Sequence, residues 1–241
     1  MWKVILALLP IPVQVLIALG MYRRKQHTKY PAFWSYLWFE SARLTLLGFL
    51  APFPTGPAFF AVYWGSQFLT TVFTLAVLRE VFLKLLADYS ALTSFQRRGY
   101  EVGLAIACFA AIVASTLIPG HTFFVREMVQ VQQTVSSVAV AMLIFVGAAS
   151  LVLGIRWRSE LCGIAAGLGL QGIADVLVFT GTLHRGSYNP SLIGWIETIA
   201  YDFSVVVFAL YFLVPQEESA APPVRRELVE WVESMSERLP R

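Results

Sequence analysis

LCGIAAGLGLQGIADVLVFTGTL, residues 161–183, carries a single charged residue, Asp175. Its apolar residues run on without the period-two alternation of a barrel strand. Its length is close to the roughly 20 residues that carry a helix through a hydrocarbon core. Similar runs recur at 4–21, 32–51, 58–78, 102–118, 128–155 and 191–214. Together they leave no room for a globular domain between them. The fold class expected is therefore all-α, a polytopic bundle of seven transmembrane helices over residues 1–214. A cytoplasmic linker and short amphipathic helix follow over residues 215–241.

Composition agrees. The chain is 57% hydrophobic and 14% charged, with a mean hydropathy of +0.66. Soluble domains carry about a quarter charged residues, so lipid is the solvent this balance suits. The net charge of +3 gives no basis for a nucleic-acid partner, because basic residues in such chains mostly report topology. Lys3 precedes the first apolar run, but MYRRKQHTK follows where a small-residue cleavage site would stand. A retained helix is expected there, bent by Pro10 and Pro12.

Positive charge favours the cytoplasmic side of a membrane. Arg23, Arg24, Lys25 and Lys29 separate runs one and two; Arg97 and Arg98 separate three and four; Arg156 and Arg158 separate five and six. The opposite loops hold little beyond Arg126 and Arg185. This asymmetry places the N-terminus outside and the C-terminus in the cytoplasm, which requires an odd number of spans. Run three continues in helical character past Arg79 to about Asp88.

Depth follows from a rise of about 1.5 Å per residue. Glu40 lies roughly 13 Å from the inner boundary, and Gln67 roughly 15 Å from the outer one. Gln171 and Asp202 fall near the middle; Arg43, Gln133 and Asp175 fall in the outer half. Several residues share helix faces. Tyr63, Gln67, Thr70, Thr71 and Thr74 follow one stripe, and Gln130, Gln133 and Ser137 another. Gly163, Gly167, Gln171 and Asp175 are spaced by four, so small residues lead to a carboxylate. Polar faces must turn inward, because lipid cannot satisfy them.

Each feature has a structural reading beside a functional one. Thr, Ser and Gln stripes serve as interhelical glue, and Gly163 with Gly167 permits close helix packing. Glu40 and Arg43, at i, i+3, can neutralise each other. Asp175 and Asp202 are then left without a second deep cation. They must be protonated, share Arg43, or face water or a bound cation. The candidate ligand- or ion-binding set is Glu40, Arg43, Gln67, Gln133, Gln171, Asp175, Tyr201 and Asp202.

Other chemistry is missing from the sequence. Cys108 and Cys162 fall within spans without metal-ligand spacing, so neither a metal nor any cofactor is expected. No histidine lies within a run, and span seven has no lysine for a retinal Schiff base. No Walker A, HExxH or GxSxG motif occurs, and no nucleophile–base pairing suggests an enzyme. His121 and His184 fall in outer loops. After Pro215, residues 224–241 place Val224, Leu228, Trp231, Val232, Met235 and Leu239 on one stripe with a net charge of zero. That balance suits docking against helix ends or a protein partner better than binding anionic lipid.

YPAFWSYLWFE (30–40), VYWGSQ (62–67), RWRSELCGIAAGLG (156–169) and the Trp-containing tail resemble a group of uncharacterised bacterial seven-helix membrane proteins. The resemblance implies a bacterial cytoplasmic (inner) membrane and seven spans, and no activity. The residues themselves point first to a sensor or small-ligand/ion-binding module. Its polar pocket would lie in the middle to outer half of the bundle and take a small cationic ligand or a proton. A proton- or cation-coupled transporter or channel, and a non-catalytic subunit of a larger membrane complex, are the alternatives.

Overall fold

The computed structural model describes residues 8–50, 57–86, 123–153, 159–185 and 190–214. These form seven helices: α1 (Pro10–Arg23), α2 (Gln26–Lys29), α3 (Pro31–Leu50), α4 (Pro57–Leu86), α5 (Phe123–Leu153), α6 (Glu160–Arg185) and α7 (Pro190–Phe212). No strand occurs among the described residues. The protein is all-α. The expected span at 102–118, the 215–241 tail, Cys108 and His121 lie outside the described residues.

Among the described residues, two helices are long and apolar enough to cross a membrane: Glu160–Val178, with a mean hydropathy of 1.8, and Gly194–Phe212, with 1.4. Val131–Gly147 is a shorter apolar stretch. Helix α3 falls short because Trp34, Trp38, Glu40 and Arg43 interrupt its apolar run. Helix α1 covers 14 residues from Pro10, and residues 1–7 of the first expected span lie outside the described residues.

Proline sets several helix starts. Pro31, Pro57 and Pro190 each open a helix, where the missing N–H has no intrahelical partner to lose and φ is already helical. Pro10 and Pro12 stand in the first turn of α1. Leu8 is helical and Leu9 keeps helical dihedrals just ahead of Pro10, so the break in the helix falls at the prolines, where a bend is expected. Lys25, with φ of 58°, takes the left-handed conformation that ends one helix and reverses the chain into α2.

The six long helices close a ring in the order α1, α3, α4, α5, α6, α7, with α7 returning to α1. α6 packs most intimately on its neighbours because its small residues leave room. A Cβ at Gly163 would overlap the Tyr211 ring, and one at Gly167 the Phe208 ring. At Gly172 it would meet the Ser136 carbonyl oxygen at 2.5 Å. Such close backbone approach is what small residues permit between membrane helices.

One end of the ring is plugged by aromatic side chains. Phe33 packs against Phe208 and Phe212, with ring centroids 5.0 and 5.1 Å apart. Leu78, Val81, Ile164 and Met21 fill the space around them and are fully buried. Polar groups cap this end. Arg24 donates to the Phe212 and Leu213 carbonyls at 2.9 and 3.0 Å, which satisfies orphan acceptors at the end of α7. The Phe33 N–H in the first turn of α3 donates to Glu80 at 3.2 Å.

Glu160, in the first turn of α6, accepts from Gln26 at 2.7 Å, Lys29 at 2.6 Å and Tyr30 at 3.0 Å. Burial, and then the adjacent Glu160 carboxylate, hold the Tyr30 phenol above the ordinary tyrosine range, so it stays a donor. Lys84 lies 4.2 Å from the Tyr30 ring centroid. Along the outside of the long helices, Phe49, Ile144, Leu177, Phe203 and Leu210 turn large apolar side chains outward.

Candidate functional site

The interior polar residues form two clusters joined at Gln67 and Thr70. The first is centred on Glu40, which α3 carries into the ring two turns beyond its start, where it is fully buried. Its Oε2 is 2.9 Å from Arg43 Nε and 2.7 Å from Arg43 Nη2. Both contacts are charge-assisted and fall on the same carboxylate oxygen, which leaves Oε1 to another partner. Thr70 of α4 donates to the other oxygen, Oε1, at 2.5 Å. Tyr201 Oη of α7 approaches Oε2 at 3.5 Å.

Helix α1 completes this cluster. Gln14, fully buried, donates through Nε2 to Tyr201 Oη at 2.5 Å. Ser41 donates to the Gln14 Oε1 at 3.1 Å. Four helices thus meet on one ion pair, and Ser41 also bonds the Leu37 carbonyl at 2.8 Å. The cluster is neutral. A buried pair with both partners and supporting hydrogen bonds is costly to break and chemically quiet.

The second cluster lies between α4, α5 and α6 and surrounds a cavity of about 40 Å³. Helix α4 contributes Gln67, Thr70, Thr71 and Thr74 to its wall. Helix α5 contributes Gln132 and Ser136, and α6 contributes Gln171 and Asp175. Ser136 donates to Asp175 Oδ2 at 2.6 Å. No cation pairs with Asp175 among the described residues. At about 10–15 Å³ per water position, the cavity of about 40 Å³ takes about three or four waters, or a small ion with its residual shell. Organic ligands need several hundred Å³.

Gln67 stands in both clusters. Its Oε1 accepts from Arg43 Nη1 at 3.4 Å, while the residue also lines the cavity. Glu40, Arg43, Gln67 and Tyr201 are thereby brought together, and Gln67, Gln171 and Asp175 meet at the cavity. Gln133 is not part of it. The face of α5 that turns inward is shifted by one residue: Gln132 and Ser136 line the cavity, while Ser137 is exposed and bonds the Gln133 carbonyl at 2.9 Å. One residue is about 100° of helix rotation, and the Gly172 contact with the Ser136 backbone sets that rotation.

Asp202 also stands apart. It lines neither cluster, and its Oδ1 is buried without a hydrogen-bond partner among the described residues. Gly163 and Gly167 pack against α7, as described above, and reach no polar group. The sequence reading left out Gln14, Ser41, Gln132 and Ser136.

A larger cleft of about 340 Å³ lies between α3 and α4, lined by apolar residues with Arg43 at its edge. Comparison of the chain with protein-family models, curated proteins and solved structures finds no match.

Proposed function

We propose that the protein is a multi-pass protein of the bacterial cytoplasmic membrane, with seven helical spans, that binds a proton or small ion in the Asp175 cavity and relays its occupancy. One observation carries this reading: Arg43 is committed to Glu40, so the cavity carboxylate Asp175 faces water-sized space with a serine hydroxyl as its donor. A carboxylate held inside a bundle without a cationic partner is a functional group by default.

Several observations support the membrane setting. Large apolar side chains face outward on the long helices, and the buried polar groups face into the ring. Helices α4 and α5 run parallel, since Phe82 meets Phe145 while Thr70 and Ser136 share the cavity further up. The chain therefore leaves α4 at one end of the ring and enters α5 at the other. The N-terminus is outside and the C-terminus cytoplasmic in this reading.

A sensor or binding module accounts for the geometry better than a transporter or channel. Below the cavity the ring is filled by Phe33, Phe208 and Phe212, together with Leu78 and Ile164. No polar path leads through that plug among the described residues. The test is amide hydrogen exchange of the full chain in liposomes as pH is varied. Protection in α4, α5 and α6 should change reversibly, and Asp175→Asn should abolish the change. Steady proton or cation flux through the wild-type protein would favour the transporter, and an exchange pattern indifferent to pH would remove the reading.

A further inference from the structure

The ledger of hydroxyl protons around the cavity narrows what can fill it. Thr70 gives its proton to Glu40 Oε1. Thr71 gives its own to the Gln67 carbonyl at 3.0 Å, and Ser136 gives its own to Asp175 Oδ2. A hydroxyl with its proton committed still offers oxygen lone pairs. The walls from α4 and α5 therefore present oxygen acceptors beside a carboxylate. The Gln67, Gln132 and Gln171 amides and the Thr74 hydroxyl on the same wall offer donors as well as oxygen acceptors, so it is the fixed charge of Asp175 that disfavours an anion there.

From this arrangement we infer that the cavity is a site for a hard monovalent cation of the alkali class, held by Asp175 and the hydroxyl oxygens of Thr71 and Ser136. Hard cations take oxygen ligands, including hydroxyl, amide carbonyl and water oxygens. Charge decides the valence. Asp175 is the only carboxylate on the wall, so one positive charge neutralises the site and two would leave an excess in low dielectric. Glu40 contributes no net charge because Arg43 cancels it. Glu197 of α7 and the buried Tyr36 of α3 are near enough to interact electrostatically with Asp175, but neither lines the cavity. No His, Cys, Asp or Glu cluster suited to a transition metal occurs among the described residues.

The inference rests on the proposed binding role of the cavity and specifies its occupant. A proton and the cation then compete for Asp175, so cation binding weakens on acidification.

The test is the thermal unfolding midpoint of the full chain in detergent, titrated with LiCl, NaCl or KCl. Choline chloride holds ionic strength constant, and pH is mildly alkaline. At least one alkali chloride should raise the midpoint saturably, with the half-saturating concentration moving upward at lower pH. Asp175→Asn should remove the response. Thr71→Val, which keeps the side-chain shape and loses an oxygen bonded only to its own helix, should move half-saturation to higher concentration. Should Asp175→Asn fail to fold, an unchanged titration in Thr71→Val overturns the assignment. A response to choline equal to that for alkali ions, or a preference for MgCl₂ or CaCl₂, also overturns it. If pH still shifts the wild-type midpoint while alkali ions do not, the binding role stands and the cation is wrong. If neither has an effect, both fail.

Discussion

Glu40 and Asp175 are both carboxylates inside the same helix ring, yet their surroundings are opposite. Glu40 has two contacts from Arg43, a third from Thr70 and a fourth group, Tyr201, at longer range. Asp175 has Ser136 and a cavity. The difference separates two uses of intramembrane charge. A carboxylate engaged by several partners holds helices in register, because any change of protonation breaks several bonds together. A carboxylate with open space beside it can gain a proton or an ion without dismantling its neighbours. The arginine settles which acid plays which part, since it lies one helical turn from Glu40 on the same helix and reaches across only as far as Gln67.

The largest effect that sharpens this contrast comes from Glu40→Ala. It strands Arg43 in the interior, and loss of one partner from a buried pair costs about 3–5 kcal/mol. Denaturant-induced unfolding should show that loss. A cost below 1 kcal/mol by the same measurement, within the range of exposed pairs, would break the comparison. Thr70→Val removes one charge-assisted hydrogen bond to the same carboxylate and should cost about 1.5–3 kcal/mol in the same denaturant measurement.

Asp175→Asn is expected to behave the other way. It leaves no cation unpaired, so its cost in unfolding free energy should fall within about 1 kcal/mol, yet the ion and pH responses should disappear. Asp202→Asn should have the smallest effect. The residue joins neither cluster, and relieving a buried oxygen of its charge should leave stability unchanged or slightly raised, with the pH response intact. Hydrogen exchange on that variant checks it, and loss of the response would move the site to α7.

The ring could be read from the chain to a useful depth, and the reasons for the failures are specific. Apolar runs mark α3, α5, α6 and α7 because helices hydrophobic on most sides leave a compositional trace. The Gly163–Asp175 spacing marks one face of α6 because four residues make nearly one turn. The inward face of α5 was misjudged by one position, taking Gln133 and Ser137 in place of Gln132 and Ser136. In a helix with many polar residues, periodicity alone does not fix rotation; a backbone contact at Gly172 does. Gln14 was passed over because a single amide in an apolar run has no pattern. Its role exists only where α1, α3 and α7 converge. The choice of Arg43 between Glu40 and the aspartates was open for the same reason, since helix order around the ring decides it.

The central claim, that Asp175 and not Glu40 is the carboxylate free to exchange a proton, is tested most directly by infrared difference spectra of the full chain on acidification. A carboxylic C=O component should appear in the wild-type protein, vanish in Asp175→Asn and persist in Glu40→Gln. A component that survives in Asp175→Asn and is lost in Glu40→Gln would contradict the account.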